Sequence, residues 1–134
     1  VLNEGIFPHT NAGNLTKSEM KELQKTNVSM GMMLENSSPR LREAGMPHHD
    51  APSKDPNARL NILKNSGELK IPMTTGILVG IGENIEECIQ SILDIKELYD
   101  KYGNIQEIIL QNFHPKPKHQ CFNNQHPKKI ILRR

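Results

Sequence analysis

The chain is poor in the residues that mark several classes of protein. It has no tryptophan, only 4% aromatic residues and two cysteines among 134 residues. This composition predicts one modest core in one domain. The two cysteines form no disulfide framework, which favours a reducing, cytoplasmic location. No apolar run approaches the roughly 20 residues that cross a bilayer, and no charged-then-apolar leader is visible. We therefore expect neither a membrane span nor a signal peptide.

Charge is unevenly distributed along the chain, although the net charge is only +2. Residues 1–113 carry 11 Lys and Arg against 15 Asp and Glu, whereas residues 114–134 carry six basic residues and no acidic one. A basic end can attract nucleic acid or anionic lipid. This one contains a single aromatic residue, Phe122, and no repeated basic motif. A solvated or disordered end is therefore favoured over nucleic-acid binding.

Short apolar runs alternate with helical patterns. The predicted strands are 2–7, 28–34, 71–81 and 108–113. Thr16, Asp55 and Asn84 are predicted N-caps; the first and third are followed three residues later by Glu, as in a capping box, and the second by Pro. No hairpin signal separates the strands. The pattern favours βα units with a parallel sheet, either doubly wound or a (β/α) barrel.

In both architectures chemistry lies at the carboxyl ends of the strands. Glu35 directly follows a buried strand, and its carboxylate must find water, a cation or a ligand. Arg59 opposes the helix dipole in the first turn of its helix; it is either simply exposed or suited to holding a carboxylate. The intervening loop, 36–56, is long, and loops of that length are usually functional or mobile.

The segment 76–83, GILVGIGE, is the sharpest local signal. Glycines at a strand end let a ligand approach the backbone closely. A dinucleotide fingerprint requires a third glycine where Ile85 stands, so that class is disfavoured. The segment by itself fits strand–helix packing as well as a ligand loop.

Metal-ligand spacing is absent from the histidine-containing segments. His48, His49 and Asp50 form one candidate group, and the tail holds another (His114, His119, Cys121 and His126). Neither shows the repeated close pairs of a zinc site. Cys88 lies on the apolar stripe of its helix and is interpreted as a small buried hydrophobe. We predict no metal site in this chain.

Five ordered stretches of the chain carry a family resemblance: 5–11 (GIFPHTN), 29–41 (SMGMMLENSSPRL), 54–56 with 59–60 (KDP, RL), 74–83 (TTGILVGIGE) and 111–113 with 116–117 (QNF, KP). They resemble the radical SAM (S-adenosyl-L-methionine) family of 7,8-didemethyl-8-hydroxy-5-deazariboflavin synthases, the cyclising subunit of FO synthase. The resemblance covers about residues 4–117, and we expect it to stop after Pro117. It implies a partial parallel (β/α) barrel of the radical SAM type, about strands three to six, over residues 1–117. Residues 118–134 are then a divergent basic tail, disordered or artefactual, and the chain is expected to be a piece of a longer gene product.

The resemblance also implies an activity. Members are radical SAM lyases of deazaflavin cofactor biosynthesis. A 4Fe-4S cluster cleaves S-adenosyl-L-methionine to a 5′-deoxyadenosyl radical, and 5-amino-5-(4-hydroxybenzyl)-6-(D-ribitylimino)-5,6-dihydrouracil is converted to FO with release of ammonia. A partner subunit of FO synthase supplies this tyrosine adduct.

The resemblance assigns residues as well. Those matched to S-adenosyl-L-methionine binding are Glu35, Arg59, Gly76, Gly80 and Glu83. In particular, Glu35 matches a contact to the ribose or amino group, and Arg59 a partner of the methionyl carboxylate. Residues expected in the substrate or cofactor pocket are His9, Asn11 and Asn112.

One departure from the family is important. Its C-x-x-x-C-x-x-C cluster motif is missing, and Cys88 and Cys121 cannot replace three thiolates. We therefore expect the cluster only in a full-length protein and no activity from this chain alone. Alternatives are another radical SAM enzyme (the partner subunit or a menaquinone-pathway relative) or a cluster-free remnant with a SAM-binding or structural role.

Overall fold

The computed structural model describes residues 2–114, in which helices alternate with the strands of a four-stranded sheet. The elements in chain order are β1 (His9–Thr10), α1 (Lys17–Leu23), β2 (Ser29–Gly31), α2 (Pro56–Glu68), β3 (Met73–Val79), α3 (Ile85–Tyr102) and β4 (Ile105–Asn112). Short 3-10 turns cover Leu2–Glu4, Pro39–Arg42 and Pro52–Lys54. The predicted tail, 118–134, lies outside the described residues.

The strands pair in parallel in the order β1-β2-β3-β4, so that each strand lies beside its neighbour in sequence. A doubly wound sheet reverses its strand order at a switch point, whereas a barrel adds strands in one direction. The predicted α/β class with a parallel sheet is confirmed, and the order is consistent with a partial (β/α) barrel. The radical SAM type of barrel stays a prediction.

The three predicted helix starts are confirmed. Thr16 and Asn84 each accept a hydrogen bond from the backbone of the glutamate three residues on, Glu19 and Glu87, and each glutamate carboxylate accepts the cap residue's own N–H. Asp55 caps α2 by accepting from two backbone N–H groups. These bonds satisfy donors that the first helical turn leaves free.

Three predicted strands are shorter than expected, among them the third, which is predicted over 71–81 and forms only Met73–Val79. The first, predicted over 2–7, is wrong, since the chain forms a 3-10 turn there and the two-residue β1 follows it. Ile6 and Phe7 are 60% and 75% exposed, and Gly5 has φ 74°, so this run is neither extended nor covered. The second shrinks from 28–34 to β2, with one further bridge from Glu35 to Ile77 of β3. The fourth instead begins earlier, at Ile105.

The core lies between one face of the sheet and the three helices. The buried apolar side chains that form it are Met20, Met30, Met32, Leu34, Ile62, Leu63, Ile71, Met73, Ile77, Cys88, Ile95 and Ile105. Methionine fills irregular gaps in such cores. The interpretation of Cys88 as a buried hydrophobe is confirmed.

Strand β4 is largely uncovered. Its first residue, Ile105, is buried, whereas Ile108, Ile109 and Leu110 are 38–57% exposed. Among residues 2–114 its outer edge has no pairing strand. Apolar surface therefore remains exposed along this edge, as we expect for four strands of an open barrel. No helix in the described part of the chain is long and apolar enough to span a membrane.

Candidate functional site

The site is built around Glu35, at the carboxyl ends of β2 and β3. Its backbone N–H donates to Gly76 O at 3.0 Å, and its carbonyl accepts from Leu78 N at 2.8 Å. Its φ is 64°, a left-handed conformation that costs an L residue about 1–2 kcal/mol. Strained backbone of this kind is concentrated at functional sites. The two hydrogen bonds to β3 therefore hold Glu35 in a backbone conformation that residues at strand ends do not usually adopt.

The Glu35 carboxylate is 13% exposed and contacts three side chains. His48 Nε2 lies 3.2 Å from Oε2, Arg59 Nη1 lies 3.0 Å from Oε1, and Lys54 Nζ also donates to Oε1. Burial by itself raises the pKa of Glu35, but the hydrogen bonds from His48, Lys54 and Arg59 outweigh it and lower the pKa to about 2. Of the partners expected from the sequence for this carboxylate, namely water, a cation or a ligand, the structure shows cations. We call Glu35, His48, Lys54 and Arg59 the Glu35 cluster.

Arg59 is buried at the start of α2, with a side chain only 8% exposed. Its Nε donates to Ser53 O at 2.9 Å, and its Nη1 donates to Met33 O at 2.8 Å. The alternative that Arg59 is simply exposed is therefore wrong. It does hold a carboxylate, that of Glu35, and so one anionic and one cationic group lie side by side in a partly buried site.

Residues 80–83, the glycine turn, follow β3. Gly80 and Gly82 have φ 96° and 115°, a region that side-chain-bearing residues rarely adopt. The Glu83 carboxylate folds back on the turn and accepts from Gly80 N at 2.6 Å and from Ile81 N at 2.8 Å. Glu83 thus fixes the shape of the turn. Burial, with a smaller contribution from the charge of Glu83, raises the pKa of the Cys88 thiol to about 11.

Gly76 has a packing role in β3. A Cβ atom at this position would lie 2.0 Å from Ile109 O in β4 and 2.7 Å from Met33 Cε. Only glycine allows this approach of the two strands. Its assignment to S-adenosyl-L-methionine binding stays a prediction, as do those of Gly80 and Glu83.

His9 and Asn11 come together over Gly31. A Cβ at Gly31 would meet Asn11 Oδ1 at 1.7 Å and His9 Nε2 at 3.0 Å, and His9 Nδ1 lies 2.7 Å from Ser29 Oγ. The sheet register places His9 and Gly31 on the face opposite the helices, since side chains alternate along a strand. Asn112 pairs with Val79 and so falls on the helix-covered face, away from them.

The structure brings no metal-binding set together in its described part. Residues 2–114 contain no group of three or more His, Cys, Asp or Glu side chains that could hold an ion. His48 turns to Glu35, whereas His49 contacts Asp50 at 3.3 Å. The tail group with Cys121 lies outside the described residues. A buried thiol with a raised pKa, Cys88, is also the opposite of the thiolate that an iron–sulfur cluster needs.

Lys54 and Arg40 also belong to this region, although neither is among the site residues predicted from the sequence. Lys54 belongs to the Glu35 cluster, and Arg40 makes a two-bond ion pair with Glu87 at 2.8 and 2.7 Å. Arg40 lowers the pKa of Glu87 to about 2, despite the opposing effect of burial, and Ser38 and Asn84 assist. Both residues lie in the long loop after β2, and both belong to stretches that carry the family resemblance, 29–41 and 54–56.

Several curated proteins are similar to this chain. One from Methanococcus maripaludis (strain C6) is 52% identical over 97% of the chain, one from Methanococcus vannielii 55% over 85%, and one from Methanothermobacter thermautotrophicus 46% over 98%. Each carries the name 7,8-didemethyl-8-hydroxy-5-deazariboflavin synthase. The chain spans 37%, 32% and 40% of their respective lengths. No family model matches the chain, and no solved structure matches it.

Fold and site together define an α/β chain with a charged site at the carboxyl edge of a parallel sheet. The chain is homologous to part of the 7,8-didemethyl-8-hydroxy-5-deazariboflavin synthases, and the resemblance described above is confirmed.

A match over 130 of 134 residues leaves at most four residues outside it, so the resemblance extends beyond Pro117. The expectation that it stops there is wrong. The proposed structural boundary at residue 117 stays a prediction.

Proposed function

We propose that this chain supplies the S-adenosyl-L-methionine-binding region of a 7,8-didemethyl-8-hydroxy-5-deazariboflavin synthase, a radical SAM lyase of deazaflavin cofactor biosynthesis in the cytoplasm. The whole enzyme would convert 5-amino-5-(4-hydroxybenzyl)-6-(D-ribitylimino)-5,6-dihydrouracil to FO and ammonia, and a partner subunit would supply that substrate. The observation that carries the proposal is the 52% identity to a protein of this name over 97% of the chain. The relatives' shared name also favours this activity over other radical SAM reactions.

The Glu35 cluster is suited to the amino-acid end of S-adenosyl-L-methionine. That end carries an ammonium and a carboxylate a few bonds apart, and Glu35 and Arg59 present the complementary charges 3.0 Å apart. The ligand's ammonium would pair with Glu35 and its carboxylate with Arg59 Nη2, since Nε and Nη1 donate to Ser53 O and Met33 O. Lys54, which donates to the same Glu35 oxygen as Arg59, would keep that carboxylate ionised.

The open face of the sheet is suited to the substrate. His9 and Asn11 lie over Gly31 and offer hydrogen-bonding groups there. Pyrimidine and ribityl groups are rich in hydrogen-bond donors and acceptors, which such side chains recognise. The placement of Asn112 on the other face makes it the weakest of the proposed pocket residues.

The chain's own contribution is binding. When bound, S-adenosyl-L-methionine supplies the hydrogen-abstracting radical of this enzyme class. The described residues do not fit the 4Fe-4S cluster, because Cys88 is a buried thiol without cysteine partners among residues 2–114. We therefore assign no electron transfer to them, and place the cluster in a full-length protein.

Equilibrium dialysis of the 134-residue chain tests the proposal. S-adenosyl-L-methionine should bind, and its decarboxylated analogue should bind at least about tenfold more weakly, since it leaves Arg59 without its partner. Lys17→Gln is a control that should bind both compounds as the native chain does, because Lys17 pairs with Glu68 at the far end of α2. Incubation with iron, sulfide and dithionite should yield no 5′-deoxyadenosine. Absence of binding, or equal binding of both compounds, would refute the assignment and leave a structural remnant as the better interpretation.

A further inference from the structure

Arg40 joins three parts of the molecule through one guanidinium group. It lies in the 3-10 turn Pro39–Arg42, inside the loop that connects β2 to α2. Its Nε and Nη2 donate to the two carboxylate oxygens of Glu87 at 2.8 and 2.7 Å, and Nη2 also donates to Gly82 O at 2.8 Å. Arg40 therefore holds the loop against both the start of α3 and the glycine turn.

The Glu87 carboxylate is held in place by further hydrogen bonds. Its side chain is only 13% exposed, and its oxygens also accept from Ser38 Oγ at 2.6 Å and from Asn84 N at 2.7 Å. The Asn84 bond is the capping box of α3, so the carboxylate cannot move without disturbing the helix start. The loop is thereby tied to a rigid element.

The same loop carries three members of the Glu35 cluster. Beyond Arg40 it continues to His48 and Lys54, which contact Glu35. The guanidinium of Arg40 donates to the carbonyl of Gly82. The next residue, Glu83, has the carboxylate that shapes the glycine turn. The loop thus carries Glu35 near its start and His48 and Lys54 near its end, and between them Arg40 bonds the loop to the glycine turn.

We propose that Arg40 is a positioning residue that sets the glycine turn and the Glu35 cluster in one fixed relation. This deepens the function proposed above, and its ligand-binding consequence rests on that function. Arg40 itself is expected to touch no ligand. A planar guanidinium is required, because a lysine ammonium cannot bond both Glu87 oxygens and the Gly82 carbonyl in this geometry.

Hydrogen exchange measured by NMR on the whole chain tests the positioning role directly. In Arg40→Gln the amides of Gly80 and Ile81, which donate to Glu83, should exchange at least about tenfold faster. Arg40→Lys should fall between this variant and the native chain. The amides of Met30 and Met73, bonded within the sheet region, should keep their native rates, since the effect is local.

The matched control is Arg42→Gln. Arg42 lies in the same turn, has nearly the same exposure as Arg40 and loses one ion pair, to Asp55, when replaced. Its variant should leave the exchange of Gly80 and Ile81 unchanged. Equal acceleration in both variants, or acceleration that includes Met30 and Met73, would overturn the positioning role. If Arg40→Gln does not fold, the comparison of Arg40→Lys with Arg42→Gln decides.

Binding measurements separate this inference from the proposed function. Arg40→Gln should weaken binding of S-adenosyl-L-methionine by about tenfold, within the range expected for a network residue that touches no ligand. Native affinity in Arg40→Gln despite faster exchange at the turn would overturn the link to binding. If the native chain binds no S-adenosyl-L-methionine, the proposed function fails, and local exchange at the turn still decides the role of Arg40.

Discussion

Glu35 and Glu87 are two carboxylates in similar surroundings with different consequences. Both side chains are 13% exposed, and the pKa of each is lowered to about 2. Glu87 is held by a capping box and by Arg40, which is 39% exposed. Glu35 is held by Arg59, which is 8% exposed, and sits on a left-handed backbone. A low pKa alone therefore does not distinguish these two carboxylates, which differ in backbone conformation and in the burial of the partner arginine.

The largest expected difference concerns stability. Glu35→Gln should lower the free energy of unfolding by about 3 kcal/mol, because it leaves the buried Arg59 without its counter-charge. Glu87→Gln should cost only about 1 kcal/mol, since water can solvate the more exposed Arg40. Urea denaturation of both variants measures the difference. Equal losses would show that the two carboxylates do the same structural work.

The next effect concerns ligand affinity. Arg59→Ala should weaken binding of S-adenosyl-L-methionine by roughly 10- to 100-fold, because a charge-assisted hydrogen bond contributes about 1.5–3 kcal/mol. Isothermal titration calorimetry checks this, with Lys17→Gln, which loses an ion pair at the far end of α2, as the control and circular dichroism to confirm folding. Native affinity in Arg59→Ala would mean that Arg59 serves only to hold Glu35.

Acid titration should sharpen the comparison further. The pKa of Glu35 in the folded chain, about 2, lies below its ordinary value of 4.5, so the folded state binds fewer protons than the unfolded state. The stabilisation from this carboxylate is therefore complete above pH 5 and is lost as the pH falls toward 2. Between pH 5 and pH 3 the loss should be about 2 kcal/mol.

Urea midpoints of the native chain and of Glu35→Gln at these two pH values measure the acid effect. The variant should lose less stability, because glutamine does not titrate. An identical pH dependence in the two proteins would contradict the assignment of acid sensitivity to Glu35.

The smallest expected effect is that of salt. Raising NaCl from 0.1 to 1 M shortens the screening length from about 10 to 3 Å. The coupling between Arg40 and Glu87 in a double-mutant cycle should then fall by about 0.5 kcal/mol, since Arg40 reaches solvent. The coupling between Arg59 and Glu35 should change less. The reverse order would show that the Glu35 cluster is the more hydrated of the two.

Local patterns in the sequence predicted much of the fold. The N-caps at Thr16, Asp55 and Asn84 were correct because each depends on groups two or three residues away. The predicted strand over 2–7 failed because an apolar run becomes a strand only where a neighbour pairs with it and a layer covers it. Ile6 and Phe7 have no such cover. Strand length was therefore beyond what an apolar pattern can predict.

The candidate site was predicted in part for the same reason. Glu35 and Arg59 were identified by their positions at a strand end and a helix start. Their contact with each other, and the addition of Lys54, depend on how the loop folds back, which no spacing rule describes. The ion pair of Arg40 with Glu87 joins residues 47 positions apart.

The sequence by itself determined the helix starts, the parallel α/β pattern and the resemblance to the synthases, because these reside in short segments and their order. Only the tertiary structure decided that the Glu35 carboxylate forms an ion pair with Arg59. It also decided that Gly76 allows β4 to pack closely against β3, and that Arg40 binds Glu87 and Gly82. These contacts are made by groups far apart in the chain. Their existence depends on sheet register and loop closure, which are set by the packing of the whole core rather than by any local preference.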